Sequence, residues 1–361
     1  MDRSKRARIG FIGAGWWATS NHMPVLASRE DVELSGVCRL GAKELDRVKK
    51  HFGFSYGTES FRDLITNCEL DGIIISSPHP LHYEHAKLAL EAGIPVMCEK
   101  PLATRADHAR ELVAIAQKNK LPLLVPYGWH HKSFIKKAKK ILDERGVGKI
   151  EFVMCHMASP IRDLLAGIET NSVDISKKSG QNSSGLFGPT AATWADPQIS
   201  GGGYAHAQIS HSSGLLFWLT DLQAESVFAE MSAPGSKVDL YDALTVRFRS
   251  GAIGTISGAG NVPKDKRFQV DLRIFGSEGM ILIDCERARM CLNRHDGKDV
   301  NLDVSEDAGS YECDGPPNNF VDLILGKTEV NLTPGESAMR GVEMIDAAYR
   351  SSKSGKSELV Y

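Results

Sequence analysis

Arg8-Ile-Gly-Phe-Ile12, followed at once by Gly13-Ala14-Gly15-Trp16-Trp17-Ala18, decides the reading of the first half of the chain. The apolar run predicts a buried strand, and the residues after it open a helical pattern over 16–28. In that strand–turn–helix context Gly-x-Gly-x-x-Ala is a dinucleotide-binding fingerprint. Gly13 permits the tight turn, Gly15 lets the backbone approach a pyrophosphate, and Ala18 keeps the helix close to the sheet. The helix N-terminus offers free N–H groups and a positive dipole end to the phosphates. Glycines also make ordinary turns, so the weight rests on the context.

Working outward, apolar β-rich runs recur at 32–38, 71–76, 94–98 and 121–125, separated by helical patterns at 42–52, 80–92 and 104–119. Strand–helix alternation predicts a doubly wound parallel sheet. After residue 126 the pattern changes. A helix is expected at 131–145, a strand after Gly148, and a helix at 204–219. Several strands joined by short turns follow between about 223 and 292, including 243–249, 252–257 and 267–275. Closing helices are expected at 317–326 and 335–352. Residues 158–200, rich in Ser, Gly, Asn and Pro, read as a long loop, a lid or substrate wall. The expected fold is therefore α/β: an N-terminal Rossmann domain over 1–126 and a C-terminal α+β domain with a largely antiparallel sheet over 127–361. A chain of 361 residues exceeds the roughly 250–300 at which one core stops growing.

Composition excludes several classes. With 43 Lys and Arg against 45 Asp and Glu, no field of one sign draws the chain to nucleic acid or an anionic membrane. The lysines at 132, 136, 137, 139 and 140 then read as a solvated helix face. The basic start is followed by an apolar run that Gly10, Gly13 and Gly15 interrupt, so no signal-peptide core forms. No stretch approaches the ~18 apolar residues of a membrane span. The seven cysteines are odd in number, irregularly spaced and without Cys-x-x-Cys. That opposes a disulfide framework or structural zinc and points to a reducing cytoplasm.

The second strand ends Val37-Cys38-Arg39, where NAD enzymes usually carry an acidic residue for the ribose 2′-hydroxyl. Arg39 in that place pairs with a 2′-phosphate, slightly favouring NADP over NAD, or stacks on adenine, which suits either. His79, His82 and His85 recur every three residues, which leaves a metal site as an alternative reading.

Three motifs carry a family resemblance: the glycine turn, Ser76-Ser77-Pro78-His79-Pro-Leu-His82 after the third strand, and Cys98-Glu99-Lys100-Pro101 after the fourth. They resemble the glucose-fructose oxidoreductase / inositol dehydrogenase / rhizopine catabolism (Gfo/Idh/MocA) family. The likeness extends to Gly146-Val-Gly148-Lys-Ile150 and to Gly201-Gly-Gly203 with His211 eight residues on, so it covers nearly the whole chain. It implies an NAD(P)-dependent dehydrogenase acting on CH–OH groups of sugars, glycosides or cyclitols, and a homo-oligomer, dimer or tetramer. It implies Lys100 as the acid–base residue, with a pKa lowered by burial, and His211 as its assistant. It also implies a cofactor set of Gly13, Gly15, Trp16, Trp17, Ala18, Arg39, Ser77, Pro78, His79, His82, Glu99 and Lys100, with no metal. Glu99 orients the lysine or closes the site.

One departure stands out. Many relatives carry Asp four residues before the histidine, and this chain has Ala207. On an α-helix Tyr204, Gln208 and His211 share a stripe, so Tyr204 and Gln208 join Trp129, His130 and Arg162 as substrate-binding candidates, with Asp163 and Trp194 behind them. Interdomain packing is the other reading of the segment 127–131. The missing carboxylate, the Trp/His-rich junction and the long loop faintly resemble members that oxidise glucosides at C3, some of them acting on aryl C-glucosides. A redox-assisted glycosidase or isomerase that retains its NAD, and a non-catalytic NAD(P)-sensing protein, are the competing classes.

Overall fold

The computed structural model of the chain describes residues 6–169 and 186–361. Six strands, β1 (Ala7–Ile12), β2 (Val32–Cys38), β3 (Tyr56–Thr58), β4 (Gly72–Ile75), β5 (Val96–Cys98) and β6 (Leu123–Leu124), form one sheet in the order β3-β2-β1-β4-β5-β6. Every pairing in it is parallel. Ile9, Phe11, Ile73, Ile74 and Met97 are fully buried, as a sheet covered on both faces requires. The order reverses between β1 and β4, so the crevice for a ligand opens beyond the carboxyl ends of those strands.

Neither β3 nor the helix Phe61–Asn67 after it is apparent in the sequence. β3 is Tyr-Gly-Thr, three half-buried residues with no apolar run. The helix is short, and its start is set by Ser60, whose hydroxyl accepts the Asp63 N–H at 3.2 Å.

Among the described residues the second sheet has nine strands. They are β7 (Ile150–Ala158), β8 (Ala224–Ser232), β9 (Tyr241–Phe248), β10 (Ile253–Ala259), β11 (Gln269–Gly276), β12 (Gly279–Asp284), β13 (Arg289–Arg294), β14 (Val300–Asp303) and β15 (Glu358–Leu359). The order is β14-β13-β12-β11-β7-β10-β9-β8-β15. Only β7 and β10 run parallel; the other pairings are antiparallel. Alternation along β9 buries one face, Leu244, Val246 and Phe248. That face packs on the helices Ser210–Thr220 and Gly335–Ser354.

The closing helices tie the two sheets together. Phe320 and Val321 of the helix Gly315–Ile324 join the core around Ile9, Phe11 and Ile74 of the first sheet. Helix Gly335–Ser354 sends Ala338 and Val342 into the first-sheet core and Met344 and Ile345 into the second. Burying each of the larger ones, Phe320, Val321, Val342, Met344 and Ile345, contributes about 1.5–3 kcal/mol, enough to hold the two walls of the intervening cleft in register.

Within the expected loop 158–200, the described residues hold three short helical turns: Arg162–Leu165, Ala191–Ala195 and Pro197–Ser200. The rest of that reading, 170–185, lies outside the described residues. Two helices expected to be plain α contain a wider π turn, Ala18–His22 after the glycine motif and Ala205–Ile209 before Ser210–Thr220. Such turns concentrate at functional sites because they re-aim side chains.

Candidate active site

A cleft of about 1060 Å³ opens beyond the carboxyl ends of β1, β4 and β5 and is closed on the other side by the helix bearing His211. Its floor is the glycine turn. Gly13 has φ +90°, and a Cβ there would sit 2.5 Å from the Ser76 carbonyl. Only glycine fits, because the chain both turns in the left-handed region and presses on the neighbouring strand end. A Cβ on Gly15 would meet nothing within 4 Å. Its open side faces the cleft, which it lines with Trp16 and Trp17. Ala18 is fully buried behind the turn.

Glu99-Lys100-Pro101 leaves β5 with a cis Lys100–Pro101 peptide. The Glu99 carboxylate accepts the His22 Nε2–H at 2.6 Å and the Lys100 backbone N–H at 3.1 Å. Burial works to raise the Glu99 carboxyl, but the His22 contact and the Lys100 charge outweigh it, and the net direction is down. Lys100 is 8% exposed, and its Nζ donates to the Ala207 carbonyl at 2.9 Å. Burial lowers its pKa from 10.5 to about 8, against the opposing pull of Glu99. The Trp194 ring lies 5.5 Å from Nζ. Where the sequence lacks a carboxylate, at Ala207, the backbone carbonyl of the same residue holds the lysine.

His211 shares this chamber. Its ring meets Tyr311 at 5.1 Å and Trp129 and Tyr127 at 6.1 Å, all edge-on. Its Nδ1 is buried without a partner. Burial, then the charges of Lys100 and His130, push its pKa well below the usual imidazole range, so the ring is neutral at pH 7. Gln208 lines the cleft one turn earlier.

Ser77, Pro78, His79 and His82 also line the cleft. The His79 Nδ1–H donates to the Ser200 carbonyl at 2.8 Å, and both His82 ring nitrogens lie against carbonyls, Pro101 at 2.7 Å and Ser77 at 2.8 Å. His85 instead faces the Ser77 hydroxyl at 2.9 Å. His79 is held at Ser200 while His82 and His85 both meet Ser77, one at its carbonyl and one at its hydroxyl, and among the described residues no group of three ligating side chains could hold a metal ion.

Three substrate candidates fall outside the cleft. Tyr204 is fully buried in the second-sheet core, its hydroxyl donating to the Met157 carbonyl and accepting from Ser159. The π turn Ala205–Ile209 rotates it off the α-helical stripe that Gln208 and His211 retain. His130 is packed behind the cleft, stacked on Tyr127 at 5.2 Å and beside Trp218 at 4.7 Å. Arg162 is exposed, while its neighbours Ile161 and Leu164 line the cleft, and Asp163 pairs with Lys264. Trp129 and Trp194 do line it, as do Met157, Phe187, Phe268 and Tyr311, which no motif marks.

Two further positions escape the sequence. His22 reaches Glu99 from 77 residues away. Asp239 accepts the Gly203 N–H at 2.9 Å, the Ala205 N–H at 2.8 Å and the Tyr349 hydroxyl at 2.8 Å, capping the helix that presents His211.

The cleft suits a dinucleotide: the Gly15 backbone is open to it, and Trp17 Nε1 and Arg39 Nε are buried donors without acceptors. Comparison with known proteins agrees. Residues 7–127 match the model of the oxidoreductase family with an NAD-binding Rossmann fold, and 135–282 match the GFO/IDH/MocA C-terminal domain. The D-glucoside 3-dehydrogenase of Escherichia coli is 33% identical over 129 residues, 36% of this chain and 36% of that protein. The D-xylose 1-dehydrogenase [NADP(+)] of Haloarcula marismortui is 26% identical over 44% of this chain and 45% of that protein. The levoglucosan dehydrogenase of Pseudarthrobacter phenanthrenivorans is 24% identical over 66% of this chain and 61% of that protein. The chain thus matches less than two thirds of the length of these relatives. Among solved structures, an oxidoreductase domain protein from Kribbella flavida superposes with a TM-score of 0.79 at 18% identity, over 99% of this chain and 100% of that one. A levoglucosan dehydrogenase solved with NADH and L-sorbose gives 0.78 at 18% identity, over 99% of both chains, a likeness of fold. With the two family models together spanning more than half of its residues, the chain belongs to the Gfo/Idh/MocA oxidoreductase family.

Proposed function

We propose that this chain is an NAD(P)-dependent dehydrogenase of a secondary hydroxyl on a sugar, glycoside or cyclitol. The observation that carries the reading is Lys100 Nζ, buried, lowered to about pKa 8, and placed in one cleft with the glycine turn and His211. A bound nicotinamide supplies hydride transfer. The protein supplies the rest. In the oxidation direction neutral Lys100 takes the hydroxyl proton, and the Ala207 carbonyl keeps Nζ aimed at it. Neutral His211 hydrogen-bonds the reacting hydroxyl and holds it against Lys100, which keeps the proton. Gln208, which cannot take a proton, orients a neighbouring hydroxyl. Trp129 and Trp194 exclude water from the chamber.

For the substrate we favour C3 of a glucoside, oxidised to a 3-keto sugar. The stretch shared with a D-glucoside 3-dehydrogenase supports it, as does an apolar wall of Met157, Ile161, Leu164, Phe268 and Tyr311. That wall suits an aryl glycoside better than a bare hexose, whose hydroxyls would face few partners there. For the cofactor we favour NADP, on the unpartnered Arg39 Nε at the ribose end of the cleft.

The test is to incubate the chain with NADP+ or NAD+ and a panel of alkyl and aryl glucosides, free hexoses and cyclitols, following nicotinamide reduction. Turnover of a glucoside with a 3-keto product is expected. Turnover of cyclitols alone would remove the glucoside assignment, and no turnover with any polyol would remove the dehydrogenase reading.

A further inference from the structure

Beyond the end of β2 the cleft contains an arginine–aromatic contact that the acid–base groups do not use. Arg39 follows β2 directly, and its Nη1 donates to the Ala14 carbonyl at 2.6 Å, inside the glycine turn. Its Nε is buried without an acceptor. Phe187, from the second half of the chain, places its ring 4.1 Å from the Arg39 guanidinium carbon and 5.6 Å from that of Arg47. Leu186 and Phe187 pack on the first-sheet core, and Phe187 lines the cleft with Arg39. Glu59 lines the same end, but its carboxylate is held by the Gly41 N–H at 2.6 Å.

An aromatic face against a guanidinium holds the cation in place through its quadrupole, while Arg47, exposed at the ring's outer side, lies outside the cleft lining. Planar guanidinium forks recognise phosphate oxygens, and a buried N–H without an acceptor is satisfied by one. We propose that Phe187 is a cofactor-specificity residue that holds Arg39 in place as a site for the 2′-phosphate of a dinucleotide. The proposal rests on the cleft being a dinucleotide site. It adds which ring, supplied from outside the first sheet, sets the preference for NADP.

The experiment is calorimetric titration of the full chain with NADP+, NAD+, adenosine 2′,5′-bisphosphate and AMP, for the wild type, Phe187→Ala, Phe187→Leu and Phe187→Tyr. The wild type is expected to bind NADP+ at least about tenfold more tightly than NAD+. Phe187→Ala and Phe187→Leu each weaken NADP+ and the bisphosphate by about tenfold, the size of a desolvated cation–π contact. They leave NAD+ and AMP within about twofold, which also shows that the variants are folded. Phe187→Tyr, which keeps the ring, binds like the wild type. Equal losses for NAD+ and NADP+ would make Phe187 an adenine-stacking residue and overturn the proposal. So would a wild type that prefers NAD+, or variants that bind NADP+ unchanged. Failure of the wild type to bind either dinucleotide would instead remove the reading of the cleft itself.

Discussion

Replacing Lys100 by Met removes a buried ammonium and keeps most of its packing volume. Burial lowers the Lys100 pKa from 10.5 to about 8 in the folded chain. At about 1.4 kcal/mol per pH unit, holding this charged group in the fold costs about 3 kcal/mol wherever both states are protonated, below pH 8. Between pH 8 and 10.5 the folded lysine is neutral while the unfolded one is still charged. The unfolded state then binds more protons, and the wild type gains stability with pH. The variant carries no such term. Its lost hydrogen bond to the Ala207 carbonyl shifts its stability by a pH-independent amount. The difference between the two proteins should therefore move by about 2–3 kcal/mol in favour of the wild type between pH 7.5 and 10, whatever its starting value. Urea unfolding of both proteins at half-unit pH steps measures it. A difference that stays flat to within about 0.5 kcal/mol would show that Lys100 has an ordinary pKa, and the acid–base role assigned to it would lose its physical basis.

Three other outcomes follow. Gly15→Val meets open space, so it should fold with an unchanged melting temperature and bind dinucleotide at least about 100-fold more weakly, whereas Gly13→Ala meets the Ser76 carbonyl and should lose stability as well; calorimetry with thermal melts separates the two. Tyr204→Phe should cost about 1–2 kcal/mol of stability, by removing hydroxyl bonds to Met157 and Ser159, and leave kcat and KM unchanged; a raised KM would put Tyr204 back in the substrate site. Because neutral Lys100 is the base, kcat/KM for oxidation should rise with pH to a plateau above about 8, and the reductive reaction should fall over the same range. A profile flat from pH 6 to 9 would contradict the assignment.

The parts of the site legible in the sequence are those written locally. The glycine turn and Glu99-Lys100-Pro101 each follow a buried apolar strand, so strand, turn and chemistry can be read in one window. β3 could not be read, because three half-buried residues paired only with β2 leave no apolar signature. The substrate stripe failed at one point. A 3.6-residue period assigns Tyr204 to the face of His211, and the π turn between them removes it. The segment 127–131 carries two readings, a sugar-binding cleft or packing, and they divide by residue: Trp129 lines the cleft, whereas His130 is buried among Tyr127 and Trp218, where burial lowers its pKa to about 3. His22, Asp239, Phe187 and Tyr311 reach the site through tertiary packing across long sequence separations, which no local pattern records.

The most direct test of the central claim is transfer of a label. A glucoside deuterated at the oxidised carbon is incubated with the chain and NADP+ or NAD+, and the reduced nicotinamide is analysed by mass spectrometry. Lys100→Met, first tested by calorimetry for dinucleotide binding, serves as the control. Deuterium on the nicotinamide in the wild type, with the rate reduced by about 10²–10⁴ in the variant, is the expected result. A wild type that binds dinucleotide but transfers no label from any sugar, glycoside or cyclitol would contradict it, as would a variant that transfers label at the wild-type rate.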